Sequence, residues 1–175
     1  MQVRFSNCRG VRVIDEQEHV FVGTVEGVVI APDTGVIEGF GVRLPGLWKS
    51  STLFLSSQDI LRWGMRVAIR SADVLASPEE IVRLDHLLHE GRPLLGQPIV
   101  TQGGDSLGWC ADIQFDTKEF RVLWLFPYRF FRWGTPIPVS HVVEVRREAV
   151  IVKDIEVPGK ETSDLTALPA MPDAA

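Results

Sequence analysis

The sequence predicts a mainly β protein made of two tandem copies of one small unit, and three observations carry that expectation. Residues 20–30 return in altered form as residues 106–115, with Gly23 over Gly108, and an Asp-Thr pair follows each copy, Asp33-Thr34 and Asp116-Thr117. Strand-like runs at 37–44 and 120–126 come next, and residues 55–60 then correspond to 137–142. Self-similarity sustained through several elements is internal duplication. The second observation is strict alternation: Trp109, Ala111, Ile113 and Phe115 are expected to point inward while Cys110, Asp112 and Gln114 point out. The third is turn chemistry between the runs, at Pro32-Asp33-Thr34-Gly35, Pro45-Gly46, Gly103-Gly104-Asp105 and Trp133-Gly134-Thr135-Pro136.

Taken in order, residues 11–14 and 98–101 read as the opening strand of each copy, and 65–69 and 149–152 as the closing strand. Val28 and Ile30 fall on the inward face of the first copy by the repeat. One helix is expected, between the copies. Ser77 is placed as N-cap, Pro78 at N1 and Glu80 as the partner in a capping box, after which Ile81, Leu84, Leu87 and Leu88 recur at helical spacing until Gly91. That leucine stripe is expected to clamp the two copies together. The organisation is therefore repeat one at 1–76, a helical connector at 77–91, repeat two at 92–155, and a tail at 156–175 whose prolines and alanines predict disorder.

Charge narrows the partners. The chain has a formal net charge of −5, but the excess acid sits in the connector and the tail, so each repeat is close to neutral. That balance lacks the strong basic footprint of a nucleic-acid protein. Cys8 and Cys110 are the only cysteines and do not occupy equivalent places, so no disulfide scaffold is expected. No apolar run of 18 residues occurs. A cytoplasmic protein is the expectation, with membrane contact confined to the surface.

Within the second copy, Leu95-Gly96-Gln97-Pro98-Ile99-Val100, Asp105-Ser106-Leu107-Gly108, Asp112-Ile113, Phe115-Asp116-Thr117 and Ile137-Pro138-Val139-Ser140 follow one another. That succession resembles the PRC-barrel, the small β-barrel named after the cytoplasmic part of the photosynthetic reaction centre H subunit. The first copy is similar through Val13, Val22-Gly23, Val25, Pro32-Asp33-Thr34-Gly35 and residues 55–60. The resemblance spans about residues 8–155 and implies two tandem PRC-type barrels in a bacterial protein. PRC-barrels also form the C-terminal half of the factor that matures the small ribosomal subunit. The resemblance thus implies, as an alternative, binding to a ribosomal protein or ribosomal RNA.

The most unusual stretch is Phe126-Pro127-Tyr128-Arg129-Phe130-Phe131-Arg132-Trp133, which places five aromatics and two arginines in eight residues. The first copy carries a thinner version around Leu47, Trp48 and Lys49. Aromatic and Arg side chains bury large area at low entropic cost, which is the composition of interaction hot spots. The same composition suits a membrane interface or base stacking. We read Leu47, Trp48, Lys49, Tyr128, Arg129, Phe130, Phe131, Arg132 and Trp133 as partner-binding residues, with a protein as the favoured partner over RNA or a membrane. The competing expectation is that Phe126, Phe130 and the tryptophans close the ends of the β units.

Catalysis is not expected. The chain has no nucleophile-elbow motif, phosphate-binding loop, zinc-hydrolase helix or dinucleotide fingerprint. Asp33, Asp112 and Asp116 are read as turn formers, and His86 with His89 as a solvated helix face rather than a metal site. His19 and His141 are read as surface residues. No cofactor, metal or small-molecule substrate is expected.

Overall fold

Alternating β-branched and aromatic residues form strands throughout the computed structural model, which describes residues 1–46 and 51–154. Strand accounts for 51% and helix for 14%, so the protein is mainly β. In chain order the strands are β1 (Gln2–Arg4), β2 (Arg12–Asp15), β3 (Phe21–Ile30), β4 (Ile37–Arg43), β5 (Thr52–Ser56), β6 (Ile60–Trp63) and β7 (Arg66–Ile69). After helix α1 (Val82–Glu90) come β8 (Pro98–Thr101), β9 (Ser106–Asp116), β10 (Arg121–Arg129), β11 (Arg132–Trp133), β12 (Ile137–Pro138), β13 (Val142–Val145) and β14 (Val150–Val152). The tail at 156–175 lies outside the described residues, as do Leu47, Trp48 and Lys49.

Two sheets result, and their strand orders match. The first runs β5-β4-β3-β2-β7-β6 and the second β11-β10-β9-β8-β14-β13, with β12 also on β10. Among the described residues each contains a single parallel pair at the same place, β2 with β7 and β8 with β14. The glycines aligned in the sequence also match physically. A Cβ on Gly23 would lie 2.4 Å from the Arg43 carbonyl oxygen, and one on Gly108 would lie 2.6 Å from the Tyr128 carbonyl oxygen. In both copies, only glycine lets the neighbouring strand approach so closely.

One apolar cluster serves both sheets, with Val13, Val25, Phe40, Val42 and Leu55 continuous with Ile99, Ile113, Phe115, Leu125 and Val150. At its centre Phe40 meets Phe115 at 5.9 Å, and Trp63 meets Phe115 edge-on at 5.6 Å and Phe120 at 6.0 Å. Each fully buried ring contributes about 1.5–3 kcal/mol by area, and edge-to-face contacts add to that. Turn joins turn above the rings: the Ile37 N–H donates to the Phe120 carbonyl at 2.7 Å and the Val122 N–H to the Gly35 carbonyl at 2.9 Å. Arg92 grips both Asp33 carboxylate oxygens, at 2.7 and 3.0 Å, and also reaches Glu90 and the Val145 carbonyl. Asp33 is therefore more than a turn former, and Arg92 holds its carboxyl below the usual range.

Five expectations need revision. Residues 1–7, counted with the first repeat, lie on the second sheet. There β1 pairs antiparallel with β9, and Ser6 bonds the Asp112 carboxylate through its N–H at 3.0 Å and its hydroxyl at 2.6 Å. Asp112 is thus a buried anchor and not a turn former. Along β9 the inward phase is reversed at first. Cys110 and Asp112 are buried while Trp109 and Ala111 are exposed, and only from Ile113 and Phe115 does the expected face turn in. The cause is a register shift opposite Phe126 and Pro127, a bulge that changes the alternation.

The helix also departs from expectation at its start. Ser77 makes no side-chain cap; residues Pro78–Glu80 form a separate 3-10 turn, and Ile81 is extended at φ −104° and ψ 96° before α1 begins. A β-branched, half-buried Ile81 favours that extended backbone. Gly91 ends the helix in the left-handed region, as its position predicts. Finally, the leucines clamp the copies only in part: Leu84 is buried, Leu87 half-buried and Leu88 54% exposed, none joins the main cluster, and Leu87 and Leu88 line a shallow concavity with Val28 and Ile30 of the first copy and Leu94 and Leu95 of the second. The main cluster joins the sheets directly. Among the described residues no helix is long and apolar enough to cross a membrane.

Candidate docking surface

The Arg-aromatic stretch folds into a two-residue hairpin. Tyr128 pairs with Trp133 and Arg129 with Arg132, which leaves Phe130 and Phe131 as the whole turn. Both sit in the left-handed region, at φ 47° and 63°. A tight hairpin with this twist requires positive φ at both central positions, which is why Asn-Gly is the favoured pair. A phenylalanine there costs about 1–2 kcal/mol because its Cβ crowds the carbonyl. Neither ring is recovered by burial, since Phe130 is 78% exposed and Phe131 93%.

Below the tip the aromatics line up across strands. Pro98 faces Trp109, Trp109 faces Tyr128, and Tyr128 faces Trp133, so one row crosses β8, β9, β10 and β11. Residues opposite one another in a sheet project to one side. Trp109 and Trp133 are more than half exposed, and the Tyr128 and Trp133 rings meet edge-on at 5.1 Å. Three arginines frame the row. Arg129 donates to the Ser106 carbonyl at 2.7 Å and lies 4.8 Å from the Phe130 ring. Arg4, carried in on β1, stacks 3.6 Å over Phe126 and 5.4 Å from Trp133, while Arg132 is exposed. Phe126, with Arg4 on it, is buried.

The structure thus places six of the nine sequence-derived site residues on one hairpin, while Leu47, Trp48 and Lys49 lie outside the described residues. Trp109 and Arg4 complete the surface but were not legible as site residues. The β9 bulge hides the first, and the strap of residues 1–7 brings the second from the far end of the chain.

Other candidate chemistry is quieter. Cys8 and Cys110 are buried free thiols, each pushed up to about 12 by desolvation and then by the Asp112 charge, so both are protonated at neutral pH and poor nucleophiles. Asp116 accepts from the Lys118 and Glu119 N–H groups, as a turn former should, and the Glu119 bond above all lowers its pKa. Among the described residues no three His, Cys, Asp or Glu side chains come together as a metal site, and the side chains of Asp85 and His86 lie outside that set. A scan of protein-family models finds no match to this chain, and a search of curated proteins finds none either.

Proposed function

We propose that this protein is a non-catalytic adaptor of two tandem PRC-type barrels that docks a protein partner through the Arg-aromatic hairpin, in the bacterial cytoplasm. The observation that carries the reading is the tip: two phenylalanines held at positive φ with their rings in solvent. Backbone strain with no internal return is a signature of a functional segment. Behind it, the row of Trp109, Tyr128 and Trp133 with Arg4, Arg129 and Arg132 offers the residue types that dominate binding energy at protein interfaces. The matched strand orders and the equivalent Gly23 and Gly108 support the duplicated-barrel part of the reading.

The test is affinity capture from the native host with wild-type bait against Tyr128→Ala/Arg129→Ala/Arg132→Ala, followed by binding measured between purified components. A partner lost with the triple variant and bound directly by the wild type supports the reading. Direct binding unchanged by the triple variant refutes it. A second reading, contact with an anionic membrane surface, is favoured by one observation, the Phe-Phe tip flanked on both sides by Arg. It predicts co-sedimentation with anionic vesicles that depends on Phe130 and Phe131. Ribosomal RNA binding, the reading drawn from the maturation factor, predicts affinity that falls steeply with salt.

A further inference from the structure

The two copies carry opposite chemistry at equivalent places. Where the second sheet has the row of Pro98, Trp109, Tyr128 and Trp133, the first has Arg12, Thr24, Arg43 and Thr52, extended on the other side by Arg66. A further difference follows at the hairpin of β6 and β7. Arg62 faces Ala68, and the equivalent pair in the second sheet is Glu144 facing Ile151. Arg66 precedes Val67, the partner of Val13, and Ala149 precedes Val150, the partner of Ile99. The fold itself therefore requires no cation at either position.

Two of those arginines, Arg62 and Arg66, line a cavity. A concavity of about 360 Å3 is lined by Ile14, Glu16, His19, Arg62 and Arg66, with Arg12 beside Arg66 in register. Arg62 is paired with Glu16, but among the described residues Arg66 and Arg12 have no ion pair; Arg12 lies 4.9 Å from the Phe21 ring. His19, in the left-handed region at φ 58° in the turn after β2, lines the same concavity. Two guanidinium groups line the cavity against the single carboxylate of Glu16, and Arg12 adds a third cation beside them, so that even with the buried Asp15 near His19 a positive surplus remains in a protein whose formal net charge is −5. Like charges gathered in a cavity repel one another, and an anion relieves that repulsion.

We propose that this cavity is a binding site for a phosphate group, with Arg66 and Arg62 as its principal ligands, His19 and Arg12 at its rim and Ile14 as its floor. Planar guanidinium groups match phosphate oxygens in pairs, which lysine would not do as well. Glu16 orients Arg62 and leaves its outer N–H groups for the ligand. The site lies on the first sheet and does not depend on the hairpin of the second.

The test titrates the full chain with inorganic phosphate at low ionic strength while amide shifts are followed by NMR. Saturable shifts at Ile14, His19 and Arg66 are expected, with affinity at least about tenfold weaker in Arg66→Gln and in Arg62→Gln/Arg66→Gln, and unchanged in Arg146→Gln of the second copy. Thermal unfolding establishes that each variant is folded. Vesicles of phosphatidylcholine with and without phosphatidic acid distinguish the source. Co-sedimentation that survives Phe130→Ser/Phe131→Ser but fails in Arg66→Gln assigns the phosphate to a lipid headgroup; phosphate binding without co-sedimentation assigns it to a soluble ligand. Unsaturable shifts, or shifts equal in wild type and Arg62→Gln/Arg66→Gln, would mean an adventitious ion only and overturn the proposal.

Discussion

Replacing Phe130-Phe131 by Asn-Gly separates what the hairpin does for the fold from what it does for binding. Relief of the left-handed strain at φ 47° and 63° returns about 1–2 kcal/mol per residue. Against this, the new glycine loses about 0.5–1 kcal/mol in unfolded-state entropy. Phe131, 93% exposed, gives up almost no buried area. Phe130, 78% exposed, gives up roughly 40 Å2, or about 1 kcal/mol, and its contact with Arg129 about 0.5 kcal/mol more. The balance lies between about zero and 2 kcal/mol in favour of the variant, a melting temperature unchanged or raised by up to about 8 °C for a chain of this size. Calorimetry of the full chain measures this, and partner binding should fall in the same variant. A fall in melting temperature of more than about 3 °C would show that the rings support the fold, and the strain argument would be wrong.

Three further outcomes follow from the same geometry. Leu84→Asp, at a buried position, should destabilise by at least about 3 kcal/mol, while Leu88→Asp, at an exposed one, should stay within about 0.5 kcal/mol, as read by denaturant unfolding. Gly23→Ala and Gly108→Ala should each cost more than about 2 kcal/mol because the new methyl meets a backbone carbonyl, whereas Gly27→Ala, with nothing within 4 Å, should be near neutral. Equal effects at Gly23 and Gly27 would deny the close strand approach. Asp15 is buried, and its pKa is lowered chiefly by the Glu18 N–H and also by the Ala72 and Gln17 N–H groups. A depressed carboxyl stabilises above its unfolded pKa, near 3.9, and that stability is lost as pH falls through the lower folded value. Melting temperature against pH should therefore fall less steeply below about pH 4 in Asp15→Asn than in wild type, and parallel curves would contradict the assignment.

The duplication was legible because it is written in local signals. Gly23 and Gly108, the Asp-Thr turns and the Gly91 stop each report a backbone demand that any reader of the chain can see. What stayed hidden depends on distant partners. The reversed face of Trp109 follows from a bulge between β9 and β10, and nothing in the alternation of residues 109–115 marks it. Arg4 looks like an ordinary N-terminal residue until β1 is laid on β9. The single core arises because Phe40, Trp63, Phe115 and Phe120 face one another across sheets, whereas the sequence allows one core or two. The hairpin tip is intermediate: its composition drew attention, but its positive φ values required the register of β10 and β11.

If the hairpin tip meets a protein, a crosslinker carried on it captures that protein. A photo-crosslinking amino acid placed at Phe131 in living cells tests this most directly, with the same group at Met65, fully exposed on the first copy, as control. One discrete protein adduct is expected at Phe131, disappearing with Arg129→Ala/Arg132→Ala and absent at Met65. Adducts equal at the two positions, or to lipid alone, would contradict it.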